Sequence, residues 1–344
     1  GLDGAIEMYG ADDAFPITDI DDILPGLLEN CERVFYAMGC NPRFDNQVNG
    51  WVNQLRDRAR AGVHTPGEFV ALDHLLHDMR LYKSRAEISA MRKSAKIAVA
   101  AHKRAMQMTR PGIFEYEVEA EFRHEFRRNG AWTSYNPIVG GGANGCTLHY
   151  VENRDELKDG DLLLIDAGCE LDYYASDITR TFPVNGRFSP EQRAVYEIVL
   201  EAQLAAIEKT VKGNHWNDPH DAAVRVITKG LRDLGLLKGT LPTLIKDGAY
   251  RPFYMHRTGH WIGIDVHDVG DYKVGDEWRV LETGMVTTVE PGIYIPNKRN
   301  IPKAFRNTGI RIEDDVAITN KGPDVLSKGL AKDPDDIEAL RNAA

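Results

Sequence analysis

Apolar positions change their spacing several times along the chain, and each change marks an element. From Leu81, Ile88, Met91, Ala95, Ile97, Val99, His102 and Met106 recur near helical spacing until Arg110-Pro111-Gly112 interrupts them, which predicts a long amphipathic helix. A second helix is expected over Phe114 to Asn129, and two more over about Pro190 to Val211 and Asp218 to Leu234. β-Branched and aliphatic runs at Leu162 to Ala167, Ser176 to Phe182, Met285 to Ile295 and Gly309 to Thr319 predict strands. A glycine-rich loop, Gly140-Gly141-Gly142-Ala143-Asn144-Gly145, stands between the second helix and the first of these strands. The region is therefore expected to be α+β with antiparallel strands. Upstream, short strand-like pieces such as Arg33-Val34-Phe35-Tyr36 accompany an amphipathic stretch near Val48 to Arg60, with no concentration of chemistry. The boundary is placed near residue 80, with a small α/β segment over 1–80 and the main domain over 81–344.

Composition narrows the function. With 344 residues, 42% of them apolar, the chain can bury a large core in one domain and a smaller one beside it. A net charge of −10, from 52 acidic and 42 basic residues, does not collect into runs of one sign, so no nucleic-acid partner is expected. The longest apolar runs fall far short of the roughly 20 residues of a membrane span, and no secretory signal pattern opens the chain. The 4 cysteines (Cys31, Cys40, Cys146, Cys169) form no CxxC pair, which argues against a thiolate zinc site or a disulfide framework and fits a reducing, cytoplasmic compartment.

The chemistry lies in acidic residues set within strand-like runs. Asp166 ends the aliphatic run Leu162-Leu163-Leu164-Ile165, and a carboxylate buried there costs several kcal/mol unless it is protonated, paired or bound to metal. Standing alone, it would serve equally well as a turn residue before Ala167-Gly168. Asp177 follows in Ser176-Asp177-Ile178-Thr179-Arg180, where a salt bridge to Arg180 is its ordinary use. Glu290 precedes Pro291-Gly292 at the end of a β-prone run, and Glu313 shares a strand face with Arg311, its ordinary partner. His260 lies between His256 and His267. Four carboxylates and one imidazole carry a formal charge of about −4, which two divalent cations would balance. Oxygen-dominated ligation without thiolate points to Mn, Co, Fe or Zn, with Mn favoured by the carboxylates.

These segments together resemble the aminopeptidase P, or Xaa-Pro aminopeptidase, branch of the pita-bread metallopeptidase family. The matching stretches are Ile165-Asp166-Ala167-Gly168, Asp177-Ile178-Thr179-Arg180-Thr181-Phe182-Pro183, Gly259-His260-Trp261-Ile262-Gly263, Asp265-Val266-His267-Asp268-Val269-Gly270, Val289-Glu290-Pro291-Gly292 and Gly309-Ile310-Arg311-Ile312-Glu313-Asp314. The resemblance implies a pita-bread catalytic domain behind a partial α/β N-terminal domain, since the family carries a complete domain there and only about 80 residues precede the catalytic region. It also implies two divalent ions, with Asp166 on one, His260 and Glu290 on the other, and Asp177 and Glu313 bridging both. His149, His256 and His267 would line the substrate cleft together with Arg311. Glu290 would act as the base as well as a ligand.

The implied reaction is release of the first residue from peptides with proline in second position, by a cytoplasmic, homo-oligomeric enzyme. Its rivals are a prolidase, a methionine aminopeptidase and a catalytically silent relative that keeps the fold as a binding module. Relatives of the silent kind lose ligand positions, and all five are present here. Proline lacks an amide hydrogen and fixes its backbone angle, so a dedicated pocket is expected, with His256, Tyr294 and Arg311 as its walls.

Overall fold

The computed structural model describes residues 1–342, which divide into two compact units, Gly1–Asp78 and the remainder from Met79 onward. In the first unit, strands β1 (Arg33–Tyr36) and β2 (Glu68–Ala71) pair in parallel. Helix α1 (Pro42–Asp57) buries Val48, Trp51, Val52 and Leu55, the one-sided spacing of an amphipathic helix.

The second unit opens with helix α2 (Arg85–Met108), started by a capping box: the Ser84 hydroxyl accepts from the Glu87 amide and the Glu87 carboxylate from the Ser84 amide. Its buried face carries Met91, Ala95, Ala98, His102, Ala105 and Met106. Helix α3 (Glu115–Arg128) contributes Val118, Phe122 and Phe126 to the same core, and the His102 ring meets Phe122 edge-on at 4.8 Å. That core also takes in Val139, Leu163, Ile165 and Phe182, from a three-stranded antiparallel sheet of β3 (Ile138–Gly141), β4 (Leu162–Asp166) and β5 (Thr179–Pro183). Leu162 through Ile165 are all buried, which is why β4 reads as a continuous apolar run rather than an alternating one. The register sets Asp166 opposite Thr179, at the end of β4 and the start of β5.

Helices α4 (Pro190–Lys209) and α5 (Asp218–Asp233) follow, both within two residues of their predicted ends. The chain then forms β6 (Val286–Val289), β7 (Gly292–Ile295), β8 (Thr308–Arg311), β9 (Asp314–Thr319) and β10 (Gly322–Val325). Strands β6, β9 and β10 make one antiparallel sheet, and β7 pairs with β8 in a second.

Three strand predictions are corrected here. The apolar pattern predicts single strands over Met285 to Ile295 and over Gly309 to Thr319, but each is broken in two, at Glu290-Pro291 and at Ile312-Glu313. At both breaks the backbone changes partner. The Glu290 amide donates to the Thr258 carbonyl at 2.7 Å, Pro291 has no hydrogen to donate, and the Glu313 amide donates to the Thr179 carbonyl at 3.1 Å. Likewise the strand expected from Ser176 begins only at Thr179, because the Asp177 amide donates to an Asp315 carboxylate oxygen at 3.1 Å. Hydrophobic alternation runs unbroken through these switches, since the side chains stay buried on either side.

Candidate metal centre and active site

Each of those three departures, like the end of β4, places an acidic side chain where a strand stops or starts. Asp166 closes β4, Asp177 precedes β5, Glu290 joins β6 to β7, and Glu313 joins β8 to β9. The approach of these backbones is close. A Cβ on Gly168 would stand 1.7 Å from the Ser176 carbonyl oxygen, so only glycine fits beside the Asp177 loop. Nine of the residues singled out in the sequence, Asp166, Asp177, His260, Glu290, Glu313, His149, His256, His267 and Arg311, line one cleft of about 550 Å³. Tyr294 does not. It is buried behind the cleft, where its hydroxyl accepts from Arg311 Nη1 at 2.9 Å and meets His256 Nε2 at 2.9 Å. Expecting Tyr294 as a pocket wall is therefore corrected: it holds two residues that do face the cleft.

The charges are tightly coupled. Arg311 Nη2 donates to Asp166 Oδ2 at 2.5 Å, while its Nε lies 4.0 Å from Glu313, so its partner is Asp166 rather than the glutamate two positions on. The ordinary use foreseen for Asp177 also fails, because Arg180 turns to Asp314 at 2.7 Å. His260 Nδ1 lies 3.0 Å from the Trp261 carbonyl, which assigns the proton to Nδ1 and leaves Nε2 facing Asp177 at 3.4 Å and Glu290 at 3.6 Å. His256 Nδ1 donates to the Arg257 carbonyl at 2.7 Å, so its Nε2 accepts from the Tyr294 hydroxyl. The His267 ring stands edge-on to His260 at 4.3 Å.

Burial raises Asp166 to about 6 and Glu290 to about 7, and with the Asp177 charge it lifts Glu313 well above the carboxylate range. Asp177 is the exception: burial pushes it up, but the hydrogen bond and charge of His260 hold it below its ordinary value. Burial opposes the charge on His260, yet Asp177 and Glu290 raise it to about 9. His256, buried and facing Arg311, is pushed down to about 3 and is neutral.

Sequence reasoning missed Tyr135. Its hydroxyl lies 2.6 Å from Asp166 Oδ1 and 2.5 Å from Asp177 Oδ1, joining the two carboxylates. It precedes Asn136-Pro137 in a segment without periodicity, so no local signal marks it.

A divalent cation fits this donor set. The four carboxylates crowd one cleft, with Arg311 against Asp166 and His260 against Asp177 and Glu290, and the burial and mutual repulsion that raise Glu290 and Glu313 would be relieved by a bound cation. Ligand atoms of Asp177, His260 and Glu313 lie within 4.8 Å of one another, with oxygen predominating and no thiolate. Asp166 and Glu290 stand outside that tight group, the first turned to Arg311 and Tyr135, the second 3.7 Å from His256.

The profile of metallopeptidase family M24 matches residues 89–320, the stretch that builds this cleft. The chain belongs to family M24. Membership implies divalent metal ions, in keeping with the donor set, and the α+β fold is the pita-bread fold of that family. The Xaa-Pro aminopeptidase of Escherichia coli K12 is 46% identical over 345 residues, which cover 100% of this chain and 78% of the relative. A solved structure of Pseudomonas aeruginosa aminopeptidase PepP is 60% identical and superposes with a TM-score of 0.97, covering 100% of this chain and 78% of that one. Proline aminopeptidase P II from Yersinia pestis is 48% identical with a TM-score of 0.96, covering 100% of this chain and 79% of that one. Among the described residues of this M24 chain, no helix is long and apolar enough to cross a membrane.

Proposed function

We propose that this M24 chain is a two-metal Xaa-Pro aminopeptidase, releasing the N-terminal residue of peptides whose second residue is proline. The observation that carries this reading is the cleft itself, where four carboxylates and His260 converge beside Arg311 and three histidines in a chain 46% identical to an Xaa-Pro aminopeptidase over 78% of that relative's length. Asp177 and Glu313 would bridge the ions, Asp166 would hold one, and His260 with Glu290 the other, with Mn²⁺ suited to so many carboxylate ligands. Bound ions would supply Lewis acidity and lower the pKa of the attacking water.

The protein's own groups would do the rest. Glu290 takes the proton from the attacking water and returns it to the leaving proline nitrogen, which departs as a secondary amine. Its neighbours are arranged for that: neutral His256 stands 3.7 Å away and His260 3.6 Å. Arg311 cannot lose its charge; it opposes the upward push of burial on Asp166 and fixes that carboxylate in place. His149 and His267 would donate to the peptide carbonyl as negative charge develops on its oxygen.

Dialysis against a chelator is expected to abolish release of free Xaa from an Xaa-Pro-Xaa peptide, and Mn²⁺ to restore it, with product followed by mass spectrometry. Undiminished hydrolysis by metal-free protein would overturn the reading.

A further inference from the structure

The glycine-rich loop at 140–145 has the composition of an anion cradle, yet two of its donors are already taken by a carboxylate of this chain. Glu115, the first residue of α3, has no exposed surface. Its Oε1 accepts from the Gly141 amide at 2.7 Å and from Asn144 Nδ2 at 3.0 Å. Oε2 accepts from the Tyr150 hydroxyl at 2.7 Å and from the Asp155 amide at 2.9 Å. One carboxylate thus ties together four points spread over the segment that carries His149. The fit is close, since a Cβ on Gly141 would stand 2.6 Å from Leu157 and 3.4 Å from Glu115 Oε1.

Among the described residues, none anchors the His149 side chain in this way. It is exposed to the cleft, while Tyr150 beside it is buried with Ile138, Leu164 and Tyr294, and Leu148 packs on that cluster. The direction of the His149 side chain therefore follows from where Tyr150 is held, and Tyr150 is held at its polar end by Glu115. We propose that Glu115 is a positioning residue, an internal carboxylate that fills the glycine-rich loop and fixes His149 in the cleft. The proposal rests on the reading of His149 as a group that acts on substrate.

The test is a double-mutant cycle in the full chain with metal saturating. Glu115→Gln preserves shape but turns an amide donor toward one pair of donors, and the Asp155 or Gly141 amide cannot reverse its role. It is expected to lower kcat about tenfold with KM changed less than about twofold, and to leave metal content unchanged. In a His149→Ala background, itself expected to lose turnover and keep its metal, the same change is expected to alter kcat by less than about twofold. A purely structural role would lower kcat by the same factor in both backgrounds, and that result overturns the proposal. Metal loss in Glu115→Gln would overturn it too, by showing action on the ligands. If His149→Ala alone leaves turnover intact, the catalytic reading of His149 fails, and the proposal with it, distinguishably from the first case. Should Glu115→Gln not fold, Tyr150→Phe removes only the donor next to His149 and is read in the same cycle.

Discussion

Alanine in place of Asp177 or Glu313 is expected to lower turnover on an Xaa-Pro-Xaa peptide by roughly a thousandfold or more and to leave fewer than two metal ions per chain. These two carboxylates, with His260, bring donor atoms in the cleft within 4.8 Å of one another. A ligand shared by two ions supports both, so its loss cannot be confined to one. The competing account is that both are structural ion pairs. Against it, the cation expected beside Asp177 is engaged by Asp314, and Arg311 stands nearer to Asp166 than to Glu313. The two accounts differ in what the metal-free variants should do. Structural ion pairs would be missed on folding, whereas thinning a crowd of buried like charges relieves repulsion, so metal-free Glu313→Gln, which removes the carboxylate that burial and its acidic neighbours push up, is expected to melt no lower than metal-free parent. Elemental analysis with melting curves checks both halves, and full metal occupancy in either alanine variant would remove the bridging assignment.

Glu290→Gln is expected to behave differently, retaining an oxygen to ligate with but no base to take a proton. Turnover should fall by about 10² to 10⁴, with peptide binding largely kept. The location argues for the role: Glu290 sits at the β6–β7 break with His260 3.6 Å away and His256 3.7 Å away, inside the cleft rather than on its rim. Because His256 is neutral and already donates through Nδ1 to the Arg257 carbonyl, it has no proton to offer in place of Glu290. Equilibrium peptide binding and initial rates, measured at matched metal content, separate loss of the base from loss of the ion. A rate within tenfold of the parent would reassign the proton transfer to another group.

Much of the site was legible in the sequence because its residues interrupt patterns that are otherwise simple. A carboxylate after four aliphatic residues, or between a β-prone run and Pro-Gly, stands out locally, and the long helix α2 announced itself by its apolar periodicity and the Arg110-Pro111-Gly112 break. What stayed hidden depends on contacts between distant segments. The breaks at Glu290 and Glu313 arise from backbone partners at Thr258 and Thr179, which no window around either glutamate contains. Tyr135 gains its place only when β4 and the loop before β5 bring Asp166 and Asp177 together, and a buried Tyr294 looks in sequence like any aromatic strand residue. Glu115 reads as an ordinary acidic residue in a helix first turn, which it also is. Its four hydrogen bonds reach from position 141 to position 155 and become visible only in three dimensions.

The measurement that bears most directly on the central claim compares turnover of Xaa-Pro-Xaa, Xaa-Pro and Met-Ala-Xaa peptides by the full chain at one saturating metal concentration. The account predicts release of the first residue fastest from Xaa-Pro-Xaa, slow or absent cleavage of the dipeptide, and no cleavage ahead of alanine. A higher rate on the dipeptide would make the chain a prolidase, and a higher rate on Met-Ala-Xaa would place it in the methionine-specific branch; either result contradicts the account.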